Sequence, residues 1–498
     1  MSDMLTYDEY KALAADIQLP SLAYINGEFR PAASGKTFAS TNPATGAHLA
    51  DIAACNADDV NVAVSAAREA FEDGRWSKLH PNERKAILLK LCDLVEANAH
   101  ELAVMESLDS GKPITDCETI DIPEFVHTLK WHAELVDKIY DQTAPVGSDA
   151  MSMIVREPIG VVGAVLPWNF PLLMLAWKMA PCLAAGCTLV LKPAAQTTLT
   201  TLKIAELAAE AGVPAGVFNV VSGSGREVGE PIGLHMDVDM VTFTGSTATG
   251  RRFLNYAAES NLKKVVLELG GKNPCIVLDD AERLDEVAEQ VCAAAFWNMG
   301  ENCSAGSRLI VQEGIKDELL ERIKHFAKDW TVGDPLNPEN ALGAMVDKGH
   351  FTKVASYLDL AREEGYDIVL GGDTSEGCYI QPTVVAGVNN SDKIAQEEIF
   401  GPILSVISVK DYDEAIAVAN DTEYGLAASV FTANARKSLR AAQAVRAGTV
   451  TVNCFGEGDI TTPFGGYKQS GFGGRDNSIH AHDQYTELKT IWVDLSEG

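Results

Sequence analysis

The stretch CTLVLKPAAQTTLTTLKIAELAAEAGVPAGVFNVV (residues 187–221) contains three patterns in succession. A short apolar run, CTLVLK, is followed by TTLTTLKIAELAAEAG, which has the pattern of a helix, and then by a second apolar run, VFNVV. Short apolar runs that alternate with helices are typical of parallel strands covered on both faces. The stretch therefore predicts a strand–helix–strand unit of an α/β fold.

The same alternation extends in both directions from this unit. Residues 57–110 have helical periodicity, and the apolar runs GVVGAVL (160–166), MVTF (240–243) and KVVLEL (264–269) read as further strands. A second alternating series follows, from PCIVLDD (274–280) to TVTVN (449–453), with a helix predicted around 281–298. The pattern predicts two doubly wound open-sheet lobes with a boundary near Gly270.

Two β segments belong to neither series. They are YDQTAPVGSDAMSMIVREP (140–158), which resembles a hairpin, and the tail YTELKTIWVDL (485–495). Because isolated hairpins are poor folding units, we expect them to pair with another subunit by strand addition, which predicts an oligomer. The predicted division is a first α/β lobe at 1–139 and 159–269, a second α/β lobe at 270–478, and β oligomerisation segments at 140–158 and 479–498.

Composition excludes several classes of function. The 498 residues carry a net charge of −30, from 40 basic and 70 acidic side chains, and such a surface repels nucleic acid and anionic membranes. The stretch MSDMLTYDEY (1–10) is acidic and has no apolar core, so we expect no secretion signal, and we find no apolar run long enough to predict a membrane-spanning helix. Ten cysteines without CxxC spacing indicate reduced thiols and no metal site, so we expect a cytoplasmic protein.

Three polar residues lie in unusual surroundings. Cys303, in GENCSAG, has small neighbours that leave room for a carbonyl group and offer backbone N–H groups; it is either a nucleophile or an inert core thiol. Glu268 ends a predicted strand in LELGGKNP, as a general base or a surface ion-pair partner. Asn169, in PWNFP, is either an oxyanion donor or a simple turn residue.

Two glycine turns are candidates for phosphate binding. FTGSTATG places Gly245 and Ser246 at a helix start, and GSGREVG places Gly225 and Gly229 after another strand; spacing does not decide between them. Lys192, at the end of a strand, is a third group that could meet a ribose or phosphate. If these strand ends converge on one sheet edge with the thiol, they suit an aldehyde oxidation through a cysteine hemithioacetal and a thioester.

Seven motifs in order resemble the aldehyde dehydrogenase family. They are PWNFP, LKPA, FTGSTATG, LELGGKNP, GENCSAG, EEIFGPILSV and PFGGYKQSG, and the similarity runs from about residue 20 to the C-terminus. The resemblance implies the aldehyde dehydrogenase fold, with a Rossmann-like dinucleotide-binding domain at 1–139 and 159–269, a catalytic domain at 270–478, and a bridging β domain formed by the segments at 140–158 and 479–498. It also implies NAD or NADP as cofactor, and a homo-oligomer, with a tetramer favoured over a dimer.

The resemblance further implies roles for individual residues. Cys303 would be the nucleophile, Glu268 the base, Asn169 with the Cys303 N–H the oxyanion hole, and Lys178 a lysine near the reaction centre. The implied cofactor-binding residues are Pro167, Trp168, Lys192, Gly225, Gly229, Gly245, Ser246, Leu269, Glu398 and Phe400. One position departs from the family: Ala195, in KPAAQT, stands where a ribose-binding glutamate is common, so we expect NADP to be tolerated.

Within the family, the chain resembles the gamma-glutamyl-gamma-aminobutyraldehyde dehydrogenases of putrescine breakdown in stretches such as DIPEFVHTLKWHAELVDKIY and GDITTPFGGYKQSG. Phe170, Trp177 and Phe464 would line an aromatic substrate tunnel. Asp121 and Asp459 are candidate anchors for an amine or amide, with helix capping or loop solvation as the alternative.

Several other substrates and functions are alternatives to this prediction. Free aminobutyraldehyde, guanidinobutyraldehyde, betaine aldehyde and general aliphatic aldehydes are alternative substrates. A CoA-acylating relative would be expected to lack Glu268. A cofactor-free cysteine hydrolase would need a histidine partner, and none of the ten falls in a motif beside Cys303. A non-enzymatic protein on the same fold would have no need of both Cys303 and Glu268.

Overall fold

The structure is a computed structural model that describes residues 4–456 and 458–496. The strands are β1 (Ala23–Ile25), β2 (Glu28–Arg30), β3 (Thr37–Thr41), β4 (His48–Ala53), β5 (Gln142–Ala144), β6 (Ala150–Pro158), β7 (Val161–Val165), β8 (Thr188–Lys192), β9 (Phe218–Val220), β10 (Met240–Thr244), β11 (Lys264–Glu268), β12 (Pro274–Val277), β13 (Arg308–Gln312), β14 (Asp367–Leu370), β15 (Thr374–Ser375), β16 (Tyr379–Ile380), β17 (Thr383–Ala386), β18 (Ile403–Val409), β19 (Ala427–Phe431), β20 (Thr449–Val452), β21 (Gly471–Phe472) and β22 (Thr486–Asp494).

The α-helices lie between and around these strands. They are α1 (Tyr7–Asp16), α2 (Ala57–Glu72), α3 (Pro81–Ala97), α4 (Ala99–Ser110), α5 (Ile114–Asp116), α6 (Ile122–Leu135), α7 (Pro171–Ala185), α8 (Leu199–Ala211), α9 (Glu230–Leu234), α10 (Thr247–Glu259), α11 (Leu284–Phe296), α12 (Glu313–Phe326), α13 (Lys348–Glu363), α14 (Lys393–Gln396), α15 (Tyr412–Asn420), α16 (Ala435–Ala444) and α17 (Ser478–Gln484).

The first lobe is built on an eight-stranded sheet with the order β2-β1-β9-β8-β7-β10-β11-β21. Its five central strands, β9 to β11 in that order, are parallel, and the outer strands pair antiparallel. Strand β21 returns to this sheet from the part of the chain that the sequence assigned to the catalytic domain. Alternate residues of β7 enter different cores: Val162 packs with α7 and Val161 with α2, so helices cover both faces.

The second lobe repeats this architecture with a seven-stranded sheet of order β14-β17-β18-β13-β12-β19-β20. All its pairs are parallel except β14 with β17. Neighbouring residues of a strand again face opposite sides of the sheet: Cys275 of β12 packs with α11 and α12, and Ile276 packs with α15 and α16. The predicted pair of doubly wound lobes is confirmed.

The two separate β segments form one small sheet, β22-β6-β5. β22 pairs antiparallel with β6 along its whole length, from Thr486 opposite Pro158 to Asp494 opposite Ala150. The sequence predicts that these segments pair with another subunit, but each segment is the other's partner within the same chain. The edge of β22 remains available for pairing. Among the described residues, no helix combines the length and hydrophobicity that crossing a membrane requires.

Candidate active site

Four neighbouring parallel strands deliver polar groups to one edge of the first sheet. Asn169 follows β7, Lys192 ends β8, Gly245 follows β10 and Glu268 ends β11. The predicted convergence of these strand ends is confirmed. A cleft opens there, lined by Pro167, Trp168, Asn169, Phe170, Leu173, Met174, Trp177, Thr244, Gly245, Ser246, Glu268, Leu269, Gly270, Asn302, Cys303, His350, Lys353, Glu398, Phe400, Leu426 and Phe464.

Cys303 reaches the cleft from the opposite lobe. It lies in the loop between α11 and β13, so it follows no strand of the first sheet, unlike the other groups. Asn273 holds this loop, because its Nδ2 donates to the carbonyl oxygens of Cys303 at 2.8 Å and Ala305 at 2.9 Å. The thiol is half-buried, as access by a small substrate requires.

A turn of three left-handed residues precedes this loop. Asn298, Met299 and Gly300 have φ values of 52°, 56° and 67°. Helix α11 therefore ends at Phe296, two residues before the predicted end. Asn298 stabilises the turn by donating from Nδ2 to the carbonyl oxygens of Asn169 at 3.1 Å and Glu301 at 3.2 Å. Non-glycine residues in this conformation are uncommon and often mark functional loops, but sequence periodicity does not reveal them.

The side chain of Asn169 faces the cysteine loop. Its Nδ2 donates to the carbonyl oxygen of Glu301 at 2.8 Å, which fixes the plane of the amide. Asn169 is buried and lines the same cleft as Cys303. An amide nitrogen carries two hydrogens, so the second is available to an oxygen atom bound beside Cys303.

Glu268 is buried at the end of β11. Burial raises the pKa of its carboxyl group well above the usual range, Asp476 adds to this, and Lys178 and Arg475 oppose it. The carboxylate packs against Gly465, where a Cβ atom would lie 2.5 Å from Oε1. The room that glycine leaves is therefore occupied by the candidate base.

Lys178 lies deeper than the cleft. It is fully buried on α7, and its Nζ lies 2.5 Å from Oδ2 of Asp476, which is also fully buried. Both members of this pair, together with Arg475, act on the pKa of Glu268. Asp476 is a functional candidate that the sequence reasoning missed, because its motif, GGRDNS, has no pattern that indicates a buried ion pair.

One end of the cleft suits a dinucleotide. Ser246 caps α10, accepting from the Thr249 N–H, and Gly245 lines the cleft at the start of that helix. The rings of Trp168 and Phe400 meet edge to face at 5.3 Å. Glu398 is held by the Gly271 N–H at 2.9 Å, and burial raises the pKa of its carboxyl group.

The other glycine turn lies outside the cleft lining. Gly225 and Gly229 bound a π-helical turn after β9, and the Cδ of Lys192 would lie 3.7 Å from a Cβ at Gly229. Burial lowers the pKa of Lys192 to about 8, and its Nζ donates to the carbonyl oxygen of Pro193. Ala195 is half-buried, and its neighbour Gln196 donates to Asp347 of the second lobe at 3.0 Å.

His350 is a cleft residue that the sequence reasoning did not identify. Its Nε2 donates to the carbonyl oxygen of Phe400 at 2.6 Å, and its ring packs on Trp168 with a centroid distance of 4.9 Å. Burial lowers its pKa to about 4, so the ring is neutral at pH 7. His350 lies on α13 between the two lobes, and sequence periodicity does not predict that position.

The other end of the cleft is aromatic, as predicted. Trp177 and Phe464 pack edge to face at 5.0 Å, and Phe170 packs against Trp297 at 5.3 Å. A second pocket continues outward and shares Leu173 and Trp177 with the cleft. These features describe a tunnel that leads from the surface toward Cys303.

Two acidic side chains line the outer mouth of this tunnel. Asp459 lines the mouth, and hydrogen bonds from Thr461 lower the pKa of its carboxyl group. Glu124 and His127 line the same mouth, with His127 Nδ1 3.9 Å from Glu124 Oε2. Asp121 does not reach the tunnel, because its carboxylate points inward and pairs with Lys112 at 2.7 Å. Asp121 ends a π-helical turn at residues 117–121, which changes the helical phase, so Asp121 does not share the exposed face on which Glu124 lies.

Comparison with known proteins agrees with this architecture. Residues 29–491 match the aldehyde dehydrogenase family model. The chain is 64% identical over 496 residues to an aminoacetaldehyde dehydrogenase of Pseudomonas aeruginosa, with 100% of both chains covered. It is 44% identical to the NADP/NAD-dependent aldehyde dehydrogenase PuuC of Escherichia coli, with 99% of both covered. The crystal structure of gamma-glutamyl-gamma-aminobutyraldehyde dehydrogenase from Burkholderia cenocepacia superposes with a TM-score of 0.97 at 48% identity, covering 99% of this chain and 100% of that one.

Proposed function

This chain belongs to the aldehyde dehydrogenase family, and from that premise we propose that it oxidises aliphatic ω-amino or gamma-glutamylamino aldehydes to carboxylic acids with NAD or NADP. One observation carries the proposal: Cys303, Asn169 and Glu268 line a single cleft, although they come from three distant parts of the chain. A nucleophile, an oxyanion donor and a base are the groups that such a reaction needs.

Each of these residues has a step to perform. The Cys303 sulfur adds to the aldehyde carbon, and the new oxyanion accepts hydrogen bonds from Asn169 Nδ2 and the Cys303 N–H. A nicotinamide dinucleotide bound in the cleft would supply the acceptor for the hydride that this carbon releases. Glu268 then takes a proton from a water molecule whose oxygen attacks the thioester, and cleavage of the C–S bond releases the acid and the thiolate.

The cleft residues fit the dinucleotide that this reaction requires. The start of α10 at Gly245 and Ser246 would hold a pyrophosphate, because helix N-termini favour anions. Trp168, Leu269, Glu398 and Phe400 would orient the nicotinamide end, with Pro167 beside them. Lys192, with Gly225 and Gly229 nearby, would meet the adenosine end, where Ala195 leaves room for either NAD or NADP.

The tunnel supports the proposed substrate class. Phe170, Trp177 and Phe464 would enclose an aliphatic chain, and the negative charges of Glu124 and Asp459 would attract an amine at its far end. The relative named aminoacetaldehyde dehydrogenase is consistent with an amine-bearing substrate. A role in putrescine breakdown, and betaine aldehyde or guanidinobutyraldehyde as alternatives, remain predictions.

A cysteine hydrolase without cofactor has less support. Its histidine would need to accept a proton from Cys303, and the histidine that lines the cleft, His350, already donates to the Phe400 carbonyl oxygen. We also propose that the protein assembles as a homotetramer through the small sheet and that it is located in the cytoplasm.

The proposal is tested by a steady-state panel of ω-amino, gamma-glutamylamino and plain aliphatic aldehydes with both cofactors. We expect the highest kcat/KM for an amine-bearing aldehyde, NAD favoured over NADP by less than about a thousandfold, equivalent to ~4 kcal/mol, and no turnover by Cys303→Ala. Equal kcat/KM for hexanal and the amino aldehydes would contradict the substrate class. Turnover by Cys303→Ala at the wild-type rate would contradict the mechanism.

A further inference from the structure

A buried cluster of charges lies directly behind the aromatic wall of the tunnel. Lys112 follows α4, and its Nζ lies 2.7 Å from Oδ2 of Asp121 and 3.8 Å from Oε1 of Glu106. All three side chains are at most 1% exposed. Removing charges from water is unfavourable, so a buried group of this kind calls for a reason beyond stability.

The cluster contacts the segment that carries Asn169 at two points. The ammonium of Lys112 lies 4.1 Å from the ring centroid of Phe170, within the range of a cation–π interaction. Oε2 of Glu106 accepts the N–H of Leu172 at 3.2 Å. The residues on the C-terminal side of Asn169 are therefore held from behind by charged groups that do not line the cleft.

The position of Phe170 has direct consequences for Asn169. The two residues are adjacent, and the Asn169 amide must meet the Glu301 carbonyl oxygen at 2.8 Å to keep its orientation. Glu301 is two residues from Cys303. A movement of the Phe170 ring would therefore shift the amide donor relative to the sulfur, and errors of ~1 Å in such geometry reduce rates by about a hundredfold.

We propose that Lys112 is a positioning residue, which acts through the ring of Phe170 to hold the Asn169 amide in register with Cys303. Asp121 and Glu106 hold the ammonium in place beneath the ring. The inference rests on the proposed function, because it assigns the amide to the oxyanion. It also gives Asp121 a role in place of the substrate anchoring expected from sequence.

A double-mutant cycle tests this route of action. Lys112→Met, Phe170→Leu and the double variant are assayed for kcat and KM with hexanal, whose uncharged chain avoids the acidic mouth. We expect Lys112→Met to lower kcat at least about tenfold with a smaller change in KM. In the Phe170→Leu background the same change should lower kcat by less than about twofold, because contacting residues are not additive. An equal loss of kcat in both backgrounds would overturn the proposal.

Two further variants separate positioning from loss of stability. Lys112→Arg keeps a cation beneath the ring and should restore most of kcat. Lys263→Met is a matched control, since Lys263 is also buried and its Nζ is held by Gly233 and Ser260, both at 2.7 Å. It should lower Tm without changing kcat more than about twofold. If Lys112→Met folds poorly, Lys112→Met with Asp121→Asn removes the carboxylate charge nearest to the lost ammonium and takes its place in the cycle.

A crystal structure of the folded Lys112 variant provides a readout independent of turnover. The Asn169 Nδ2 to Glu301 oxygen distance should increase beyond hydrogen-bonding range, and an unchanged distance would overturn the proposal. If wild-type protein oxidises no aldehyde, the proposed function fails while this distance still decides the role of Lys112. If wild type is active and the cycle is additive, only the positioning role fails.

Discussion

At the scale of single residues, the surroundings of Glu268 determine when it can act. Only the ionised carboxylate can accept a proton from water, and burial shifts its ionisation to higher pH. Lys178, paired with Asp476, opposes this shift and so favours the active form. The residue is therefore expected to set the acidic limb of the activity profile.

We predict that Glu268→Gln lowers steady-state kcat by about 10²–10⁴-fold, because thioester hydrolysis loses its general base. The rapid first formation of NADH should persist in stopped-flow measurements, since the thioester still forms. In wild type, kcat should fall as the pH is lowered through the raised pKa of Glu268, and this fall should be absent from the variant. A variant with an unchanged pH profile would show that another group is the base.

A second prediction concerns the acidic mouth of the tunnel. Glu124→Gln with Asp459→Asn should raise KM for amine-bearing aldehydes, by about twofold to fivefold for each exposed charge removed. KM for hexanal should stay unchanged, because its chain carries no charge to attract. Steady-state assays with matched chain lengths measure the difference. Equal changes for both substrates would show that these carboxylates affect only the shape of the mouth.

At the scale of elements, the left-handed turn before Cys303 links the two lobes. We predict that Asn298→Ala lowers the free energy of unfolding by about 1–3 kcal/mol, because two buried carbonyl oxygens lose a donor. It should also reduce kcat, since the bridge through Asn298 is lost, although the Asn169 Nδ2 hydrogen bond to Glu301 still joins Asn169 to the cysteine loop. Denaturant titration and steady-state kinetics measure both effects. Asn56→Ala, which removes the cap of α2 far from the cleft, should lower stability while leaving kcat unchanged.

The elements also show where sequence reasoning succeeds. The strands that end at Lys192 and Glu268 were predictable, because a run of buried residues reflects local periodicity. The turn at Asn298 was not, since its conformation depends on contacts with a residue 129 positions away. The orientation of the Asp121 side chain was equally unpredictable. It depends on how α4 packs against the turn at residues 117–121, because this packing decides which carboxylate meets Lys112.

At the scale of the whole molecule, the small sheet is expected to join subunits. β22 forms an open edge, and Leu488 and Trp492 on it are 68% and 61% exposed. We predict that Trp492→Lys yields a smaller species in light-scattering measurements. Lys489→Ser, on the opposite face of the same strand, should leave the assembly unchanged. If Trp492→Lys also keeps the wild-type mass, this sheet does not form the interface.

The reactive groups of the cleft come from both lobes, so activity depends on the folding of both. Asn169 and Glu268 belong to one lobe and Cys303 to the other, so each half of the chain carries an incomplete set of reactive groups. A C-terminal fragment cleaved after Glu268 would therefore carry the thiol without Asn169 and Glu268, the groups that direct it toward aldehydes. Catalytic competence arises only when both halves have folded and docked, which makes turnover itself a sensitive report of correct assembly.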